Sequence, residues 1–245
     1  MSLSTVSTTV VLAKLLGASS TGFGPAVLMD QIGADNGASI DTDTSSNFLA
    51  SQIFEAAFSI YDIAAVDDFV ALPETAFTNF HAVITGWNGY VNIDGVSALS
   101  LNIYSTPEAA GTSLVGDLAS VYQPGAPETS SEWTLPGYDL VVLEATVFSS
   151  QIKNWISLIP YNEFGTNGQT GCAASTLGDY NAYQCNPGGG FGFGATRQLP
   201  NNFAYRVLVT STDDCNDNGI VDSDEIAADP TLDCDNNGIL DECEP

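Results

Sequence analysis

The sequence predicts an all-β protein: an antiparallel β-sandwich of jelly-roll type over residues 26–211, followed by a small C-terminal module over residues 212–245. Short segments in which apolar and polar residues alternate, separated by Gly, Pro, Asn and Asp, are typical of half-buried antiparallel strands. No long apolar stripe with helical spacing and end caps interrupts these segments. Eight or nine strands at this spacing are enough for two packed sheets.

The alternation is clearest in residues 97–104, where apolar and polar side chains occupy opposite faces of the expected strand. The apolar face is Leu99, Leu101 and Ile103, and the polar face is Ser100 and Asn102. The other candidate strands are residues 26–29, 53–58, 64–72, 79–87, 114–122, 138–148, 153–160 and 203–210. We expect an inward-facing core that includes Leu99, Leu101, Ile103, Val141, Leu143, Val207 and Val209.

The charge balance excludes several classes of partner. Four Lys and Arg stand against 30 Asp and Glu, which gives a formal net charge of -26. Because nucleic-acid affinity depends on basic side chains that contact phosphates, no nucleic-acid partner is expected. Anionic membrane surfaces are disfavoured for the same reason. No apolar run approaches the roughly 18 residues of a transmembrane helix, so no membrane span is expected.

The composition and the first residues favour an extracellular protein. Only 14% of the residues are charged, so Ser, Thr, Asn and Gly must cover much of the surface. Residues 1–25 combine many Ser and Thr with a short apolar stretch that Lys14 interrupts. This segment is interpreted as a secretory leader or as a disordered or strand-swapped arm, and an ordinary first helix is the alternative.

Residues 161–194 are rich in Gly and Asn and poor in large aliphatic side chains, which predicts a long loop over the sandwich. Cys172 and Cys185 lie within it, and a disulfide between them would stabilise the loop by roughly 3 kcal/mol. Such a bond would indicate an oxidising compartment. Two free, buried thiols are the alternative.

Acidic residues concentrate at the C-terminus in a pattern that predicts metal binding. Residues 214–225 place oxygen donors at positions 1, 3, 5, 9 and 12 of a 12-residue loop, with Gly219 at position 6. Residues 233–244 repeat the pattern 19 residues later, with Gly238 at position 6. Ca²⁺ takes six to eight oxygen ligands around such a tight turn, whereas Mg²⁺ prefers fewer protein ligands and a stricter octahedron.

The sequence therefore predicts a tandem EF-hand-like module with two Ca²⁺ ions and no other cofactor. The first ion would be bound by Asp214, Asn216, Asn218, the Ile220 carbonyl, Asp222 and Glu225. The second would be bound by Asp233, Asp235, Asn237, the Ile239 carbonyl, Asp241 and Glu244. Only residues 226–232 separate the loops, too few for two full EF-hand helices.

The run DCNDNGIVDSDEIAADPTLDCDNNGILDECE, residues 214–244, resembles the short cysteine-containing dockerin-type repeats at the C-termini of secreted proteins of planctomycete-like bacteria. It is more distantly similar to thrombospondin type 3 repeats. The segment SQIFEAAFSIYDIAAVDDFVAL is similar to a strand signature of the sandwich domains that often precede such tails. The resemblance implies a secreted or cell-surface protein whose tail binds a docking partner or a surface anchor. Cys215, Cys234 and Cys243 leave three cysteines for one bond, and the pairing stays open.

Nothing in the sequence predicts catalysis, and no catalytic residue is assigned. The single histidine, His81, is expected to be a half-buried strand residue, and no nucleophile elbow, zinc-protease or nucleotide-binding motif occurs. Three classes remain: a calcium-anchored display protein, a carbohydrate-binding sandwich and a glycoside or polysaccharide hydrolase. Aromatic side chains available for a glycan are Trp87, Tyr90, Trp133, Tyr180 and Tyr183. Carboxylates available for hydrolysis are Asp67, Asp68, Glu74, Asp139 and Glu144.

Overall fold

A computed structural model describes residues 26–42, 48–71, 75–209, 222–234 and 240–243. The strands of these residues form two antiparallel sheets that pack face to face, as the sequence predicts for a β-sandwich. The expected N-terminal segment, residues 1–25, and the expected boundary between residues 211 and 212 lie outside the described residues. Among those residues no helix is both long and apolar enough to cross a membrane.

The strands are named in chain order. They are β1 Ala26–Asp30, β2 Phe48–Ala50, β3 Ala64–Val70, β4 Ala76–Trp87, β5 Ala98–Tyr104, β6 Ala119–Pro124, β7 Glu128–Thr129, β8 Asp139–Phe148, β9 Lys153–Tyr161, β10 Gln169–Ser175, β11 Tyr183–Cys185, β12 Thr196–Gln198, β13 Asn202–Phe203 and β14 Tyr205–Val209. The α-helices are α1 Pro107–Thr112, α2 Phe164–Asn167 and α3 Asp222–Ala228. Short 3-10 helices span Ala56–Tyr61, Ile93–Gly95, Pro230–Leu232 and Asp241–Cys243.

The long strand β4 organises the first sheet. It pairs with β8 along one edge and with β14 and then β10 along the other. Strand β1 extends the sheet beyond β14, β7 extends it beyond β8, and β2 and β13 pair with β10. The second sheet has the order β12-β11-β3-β9-β5-β6, in which β9 is bonded to both β3 and β5.

The main hydrophobic core lies between the two sheets. The seven side chains predicted to face inward are all at most 1% exposed, which confirms that part of the sequence analysis. Phe69 of the second sheet meets Phe77 of the first in an edge-to-face contact with ring centroids 5.2 Å apart. Such pairs contribute beyond the area they bury, so this contact helps to fix how the sheets face each other.

The outer face of the second sheet is also covered, which the simple alternation did not predict. Every residue of β5 is buried, including the polar Ser100 and Asn102. Helix α1 packs here with Tyr104 and Ile159, and its first turn is capped by Thr106, whose hydroxyl accepts a hydrogen bond from Ala109 N at 3.2 Å. The tyrosine hydroxyl of Tyr104 donates to Leu114 O at 2.7 Å, which satisfies its polar end in the buried layer.

Two of the expected strands differ from the structure. Residues 56–58 of the candidate strand 53–58 belong to a 3-10 helix instead, which spans Ala56–Tyr61. The candidate strand 114–122 begins only at Ala119, and Leu114 packs in the outer layer with Tyr104.

The predicted Cys172–Cys185 disulfide is wrong, and so is the long loop that it would stabilise. Residues 161–194 contain β10 and β11, which belong to different sheets. Cys172 faces the core between the sheets, whereas Cys185 lies in the outer layer with α1. Both are free and buried thiols, and burial raises the pKa of each, that of Cys185 to about 12.

Replacing Phe77 with Ala tests the inter-sheet contact. Phe77 is 0% exposed, so Phe77→Ala should lower the free energy of unfolding by about 3–5 kcal/mol. The matched control is Phe148→Ala on the neighbouring strand, where the ring is 64% exposed and the change should be within about 0.5 kcal/mol. Urea unfolding measures both, and equal losses in the two variants would contradict this account of the core.

Candidate functional site

The structure describes four of the twelve predicted calcium ligands: Asp222, Glu225, Asp233 and Asp241. The other eight lie outside the described residues, and they are Asp214, Asn216, Asn218, Ile220, Asp235, Asn237, Ile239 and Glu244. The complete ligand set therefore stays a prediction.

A helical segment begins at the ninth position of each predicted loop. Helix α3 starts at Asp222 in the first loop, and a 3-10 helix starts at Asp241 in the second. Residues three apart on a helix project from the same side, so the carboxylates of Asp222 and Glu225 share one side of α3. Positions 9 and 12 of the first loop are therefore suited to contact one ion.

The described segment between the loops is short and tightly turned. Helix α3 ends at Ala228, and the following 3-10 helix begins at Pro230. Asp229 caps this second turn, because its Oδ1 accepts hydrogen bonds from Thr231 N at 3.0 Å and Thr231 Oγ1 at 2.7 Å. As the sequence predicts, two full EF-hand helices do not occur between the loops.

Two carboxylates of the tail are buried, although no basic residue lies near them in the sequence. Asp222 is 9% exposed and Asp233 is 4% exposed, and the last basic residue of the chain is Arg206. Asp241 is exposed, and hydrogen bonds from the Cys234 side chain and from Cys234 N, the latter at 2.9 Å, lower its pKa. Buried carboxylates such as Asp222 and Asp233 need groups that balance their charge, and a cation would do so.

A second acidic group lies within the sandwich, where carboxylate oxygens of Asp67, Asp68 and Asp179 are all within 4.8 Å of one another. Alternation along β3 points Asp67 into the space between the sheets, on the same side as Ala65 and Phe69. Asp67 is 0% exposed. Asp67 and Asp68 are candidate carboxylates from the sequence alone, but their closeness to Asp179 is visible only in the structure.

Hydrogen bonds explain why Asp67 is tolerated between the sheets. Its Oδ2 accepts a bond from Phe203 N of the opposite sheet at 2.8 Å, and its Oδ1 accepts one from Asp68 N at 2.9 Å. Asp67 therefore links β3 to β13 across the sandwich. Burial raises the pKa of Asp67 to about 7, the two backbone donors oppose that rise, and the Asp68 and Asp179 carboxylates add to it.

Asp68 faces the other side of β3 and already has a cationic partner. Lys153 Nζ lies 2.9 Å from Asp68 Oδ2, and Asn181 Nδ2 donates to Asp68 Oδ1 at 2.7 Å. The same ammonium group lies 4.9 Å from the ring centroid of Trp155, in cation–π geometry. These contacts give the acidic group a structural role in the sandwich.

The remaining hydrolase candidates are spread through the fold. Burial raises the pKa of Asp139, whose carboxylate accepts a hydrogen bond from Tyr90 Oη at 2.9 Å. Glu144 is exposed on β8, and Glu74 lies outside the described residues. His81 is half-buried on β4, as predicted, and burial lowers its pKa.

Most of the aromatic residues named for glycan binding make hydrogen bonds or ring contacts within the sandwich. Trp133 Nε1 donates to Tyr138 O at 3.0 Å, and Tyr183 packs edge-to-face against Trp155 at 5.2 Å. Tyr180, at 55%, is strongly exposed. Trp87 ends β4, and Tyr90 in the next turn is the donor to Asp139. These contacts show structural uses for most of the set.

Fold and site together define an antiparallel β-sandwich with a cross-sheet carboxylate and an acidic C-terminal tail. No protein-family model, curated protein or solved structure matches this chain. Any function must therefore be argued from its own residues.

The raised pKa of Asp67 predicts how stability depends on pH. The folded-state pKa, about 7, exceeds the unfolded value of about 3.9, so folding takes up a proton between these values. The stabilisation is complete below the unfolded pKa and is lost as pH rises through the folded pKa. The unfolding temperature should therefore fall between about pH 4 and about pH 7.

Asp67→Asn should flatten this pH dependence, because the group that titrates is removed. Glu144→Gln is the control, since it removes one negative charge at an exposed position on β8 and leaves Asp67 and its neighbours in place. Thermal unfolding followed by circular dichroism measures both variants. If Asp67→Asn leaves the change of unfolding temperature with pH unaltered, groups other than Asp67 cause that change.

Proposed function

We propose that this chain is a non-catalytic, secreted or cell-surface β-sandwich protein whose C-terminal tail binds two Ca²⁺ ions and serves as an anchoring or docking module. The observation that carries the proposal is the tandem pair of 12-residue loops at residues 214–225 and 233–244. Each loop supplies the donor spacing, the glycine and the closing glutamate that a calcium loop requires. Chance agreement is plausible for one loop in an acidic chain but not for two in tandem.

The local structure of the tail supports this assignment. Helical turns begin at the same loop position in both repeats, at Asp222 and Asp241. In the first repeat the turn brings Asp222 and Glu225 to one side of α3, where a bidentate glutamate closes a calcium shell. The ion itself would supply positive charge to a segment that has only acidic charged residues.

Metal binding would provide much of the folding free energy of the tail. Twelve acidic residues lie between Asp213 and Glu244, and their mutual repulsion opposes compact structure. Leu240 is 1% exposed but Leu232 is 39% exposed, so the described apolar contribution is small. A segment with little core and many ligands folds when its ions bind. The sandwich has its own core between the sheets and does not share this dependence.

An extracellular location follows from the same chemistry. Calcium loops of extracellular modules bind in the range of about 10⁻⁴ to 10⁻³ M, close to the calcium level outside cells. The low content of charged residues and the surface rich in Ser, Thr and Asn suit that environment. The resemblance of residues 214–244 to dockerin-type repeats adds docking as the purpose of the module.

A non-catalytic role is favoured by the setting of the strongest carboxylate candidate. Asp67 has the raised pKa that a general acid requires, but its side chain is completely buried and bonded to the backbone of both sheets. A group in that position cannot contact a polysaccharide without opening the sandwich. Its perturbed pKa is explained by the cross-sheet link.

Calcium titration of the whole chain tests the proposal. Isothermal titration should give two Ca²⁺ per chain, and Glu225→Gln should weaken the first site because it removes the bidentate ligand. Glu242→Gln is the matched control, since it removes the same charge from the tail at a loop position that supplies no predicted calcium ligand. The second loop should bind more tightly than the first, because it has Asp235 where the first has Asn216.

Limited proteolysis with and without chelator tests whether the fold of the tail depends on calcium. Chelation should expose the tail to cleavage while the sandwich stays resistant. Absence of calcium uptake, or a tail that is equally resistant in both conditions, would contradict the proposal.

A further inference from the structure

A pocket of about 230 Å³ opens on the outer face of the second sheet, beside the edge strand β6. Its floor and one wall come from β5 and β6, where Ser100 is paired with Tyr122 and Asn102 with Ser120. Paired residues of antiparallel strands project from the same face, so these four side chains converge by register. Tyr161, the last residue of β9, adds another wall.

The floor is a fixed polar network. Asn102 is 1% exposed, and its Oδ1 accepts hydrogen bonds from Ser120 Oγ at 2.7 Å and Gly116 N at 3.2 Å. Its Nδ2 donates to Ser100 Oγ at 3.2 Å. Ser100 and Tyr161 both line the pocket. The buried amide thus orients a row of hydroxyl groups that ends at the pocket.

The walls combine this polar floor with exposed aromatic and aliphatic surface. Tyr122 is 57% exposed and packs edge-to-face with Tyr161, with ring centroids 5.2 Å apart. Val115, which also lines the pocket, is 66% exposed. An aromatic ring beside a few oriented polar groups is the usual composition of a small-molecule site.

We propose that this pocket binds a neutral sugar ring of a glycan. A sugar ring has hydroxyl groups around its edge for the serine and tyrosine hydroxyls, and C–H groups that pack on an aromatic face. The volume is below the roughly 300–1,000 Å³ of sites for drug-sized ligands, so it suits one ring of a longer chain. None of the described residues that line the pocket is charged, and the net charge of -26 disfavours anionic sugars.

This site is separate from the calcium module. Its lining residues belong to the sandwich, between residues 53 and 161, and none is a predicted calcium ligand. Glycan binding should therefore persist when calcium is removed. The glycan and calcium sites can then be tested independently on the same full-length protein.

Affinity electrophoresis of the whole chain tests the inference, with a panel of neutral polysaccharides: β-1,4-glucan, xylan, mannan and galactan. We expect at least one of them to retard the protein and polygalacturonate, an anionic control, not to do so. Tyr122→Ala should weaken binding about fivefold to tenfold because the exposed ring contact is lost. Tyr122→Phe keeps the ring and should retain most of the affinity.

Phe148→Ala is the matched control, because Phe148 is an aromatic residue of similar exposure, 64%, away from the pocket. It should bind like the unchanged protein, and chelator should not alter the retardation. Circular dichroism confirms that each variant is folded. Failure of every neutral polysaccharide to bind would overturn the inference, as would equal losses in Tyr122→Ala and Phe148→Ala. Binding that chelator abolishes would assign the glycan site to the tail instead.

Discussion

Packing between the two sheets is the interaction on which the rest of the molecule depends. The contact of Phe69 with Phe77 joins β3 of one sheet to β4 of the other, and the main core surrounds it. The same spacing between the sheets lets the carboxylate of Asp67 reach Phe203 N. The aliphatic contacts provide most of the stability, and the buried hydrogen bond adds a fixed register between β3 and β13.

In the tail, electrostatic interactions rather than apolar packing control folding. Its described residues bury little apolar surface, and its carboxylates are close together in sequence with no basic residue among them. Electrostatic repulsion between these carboxylates therefore opposes the folded state of the tail. A bound cation would attract the carboxylates and so favour the folded state. With calcium bound as proposed, the protein would combine a permanently folded sandwich with an attached module whose structure depends on the calcium concentration.

The sequence could predict features that repeat at fixed spacing. Period-two alternation placed Leu99, Leu101 and Ile103 in the core, because the pleat of a strand enforces that period. Strand β10 was missed, because strands buried on both faces lack alternation and this one consists of small residues that resemble a loop. The prediction of a Cys172–Cys185 disulfide is wrong for the same reason. Because β10 is not recognisable from the sequence, the sequence does not show that the two cysteines lie in strands of different sheets.

Sites formed by distant residues could not be predicted from sequence. Asp67 and Phe203 are 136 positions apart, and only the packing of the sheets brings them together. The pocket beside β6 likewise depends on the register that pairs Ser100 with Tyr122. The proposed calcium loops are the opposite case, because all six predicted ligands of each loop lie within 12 consecutive residues.

Amide hydrogen exchange of the whole chain, measured with calcium and with chelator, tests the central claim most directly. It compares the tail with the sandwich in one sample. The account predicts that calcium slows exchange strongly in residues 212–245 and leaves the core strand β5 equally protected in both conditions. Exchange in the tail that is the same with and without calcium would contradict it.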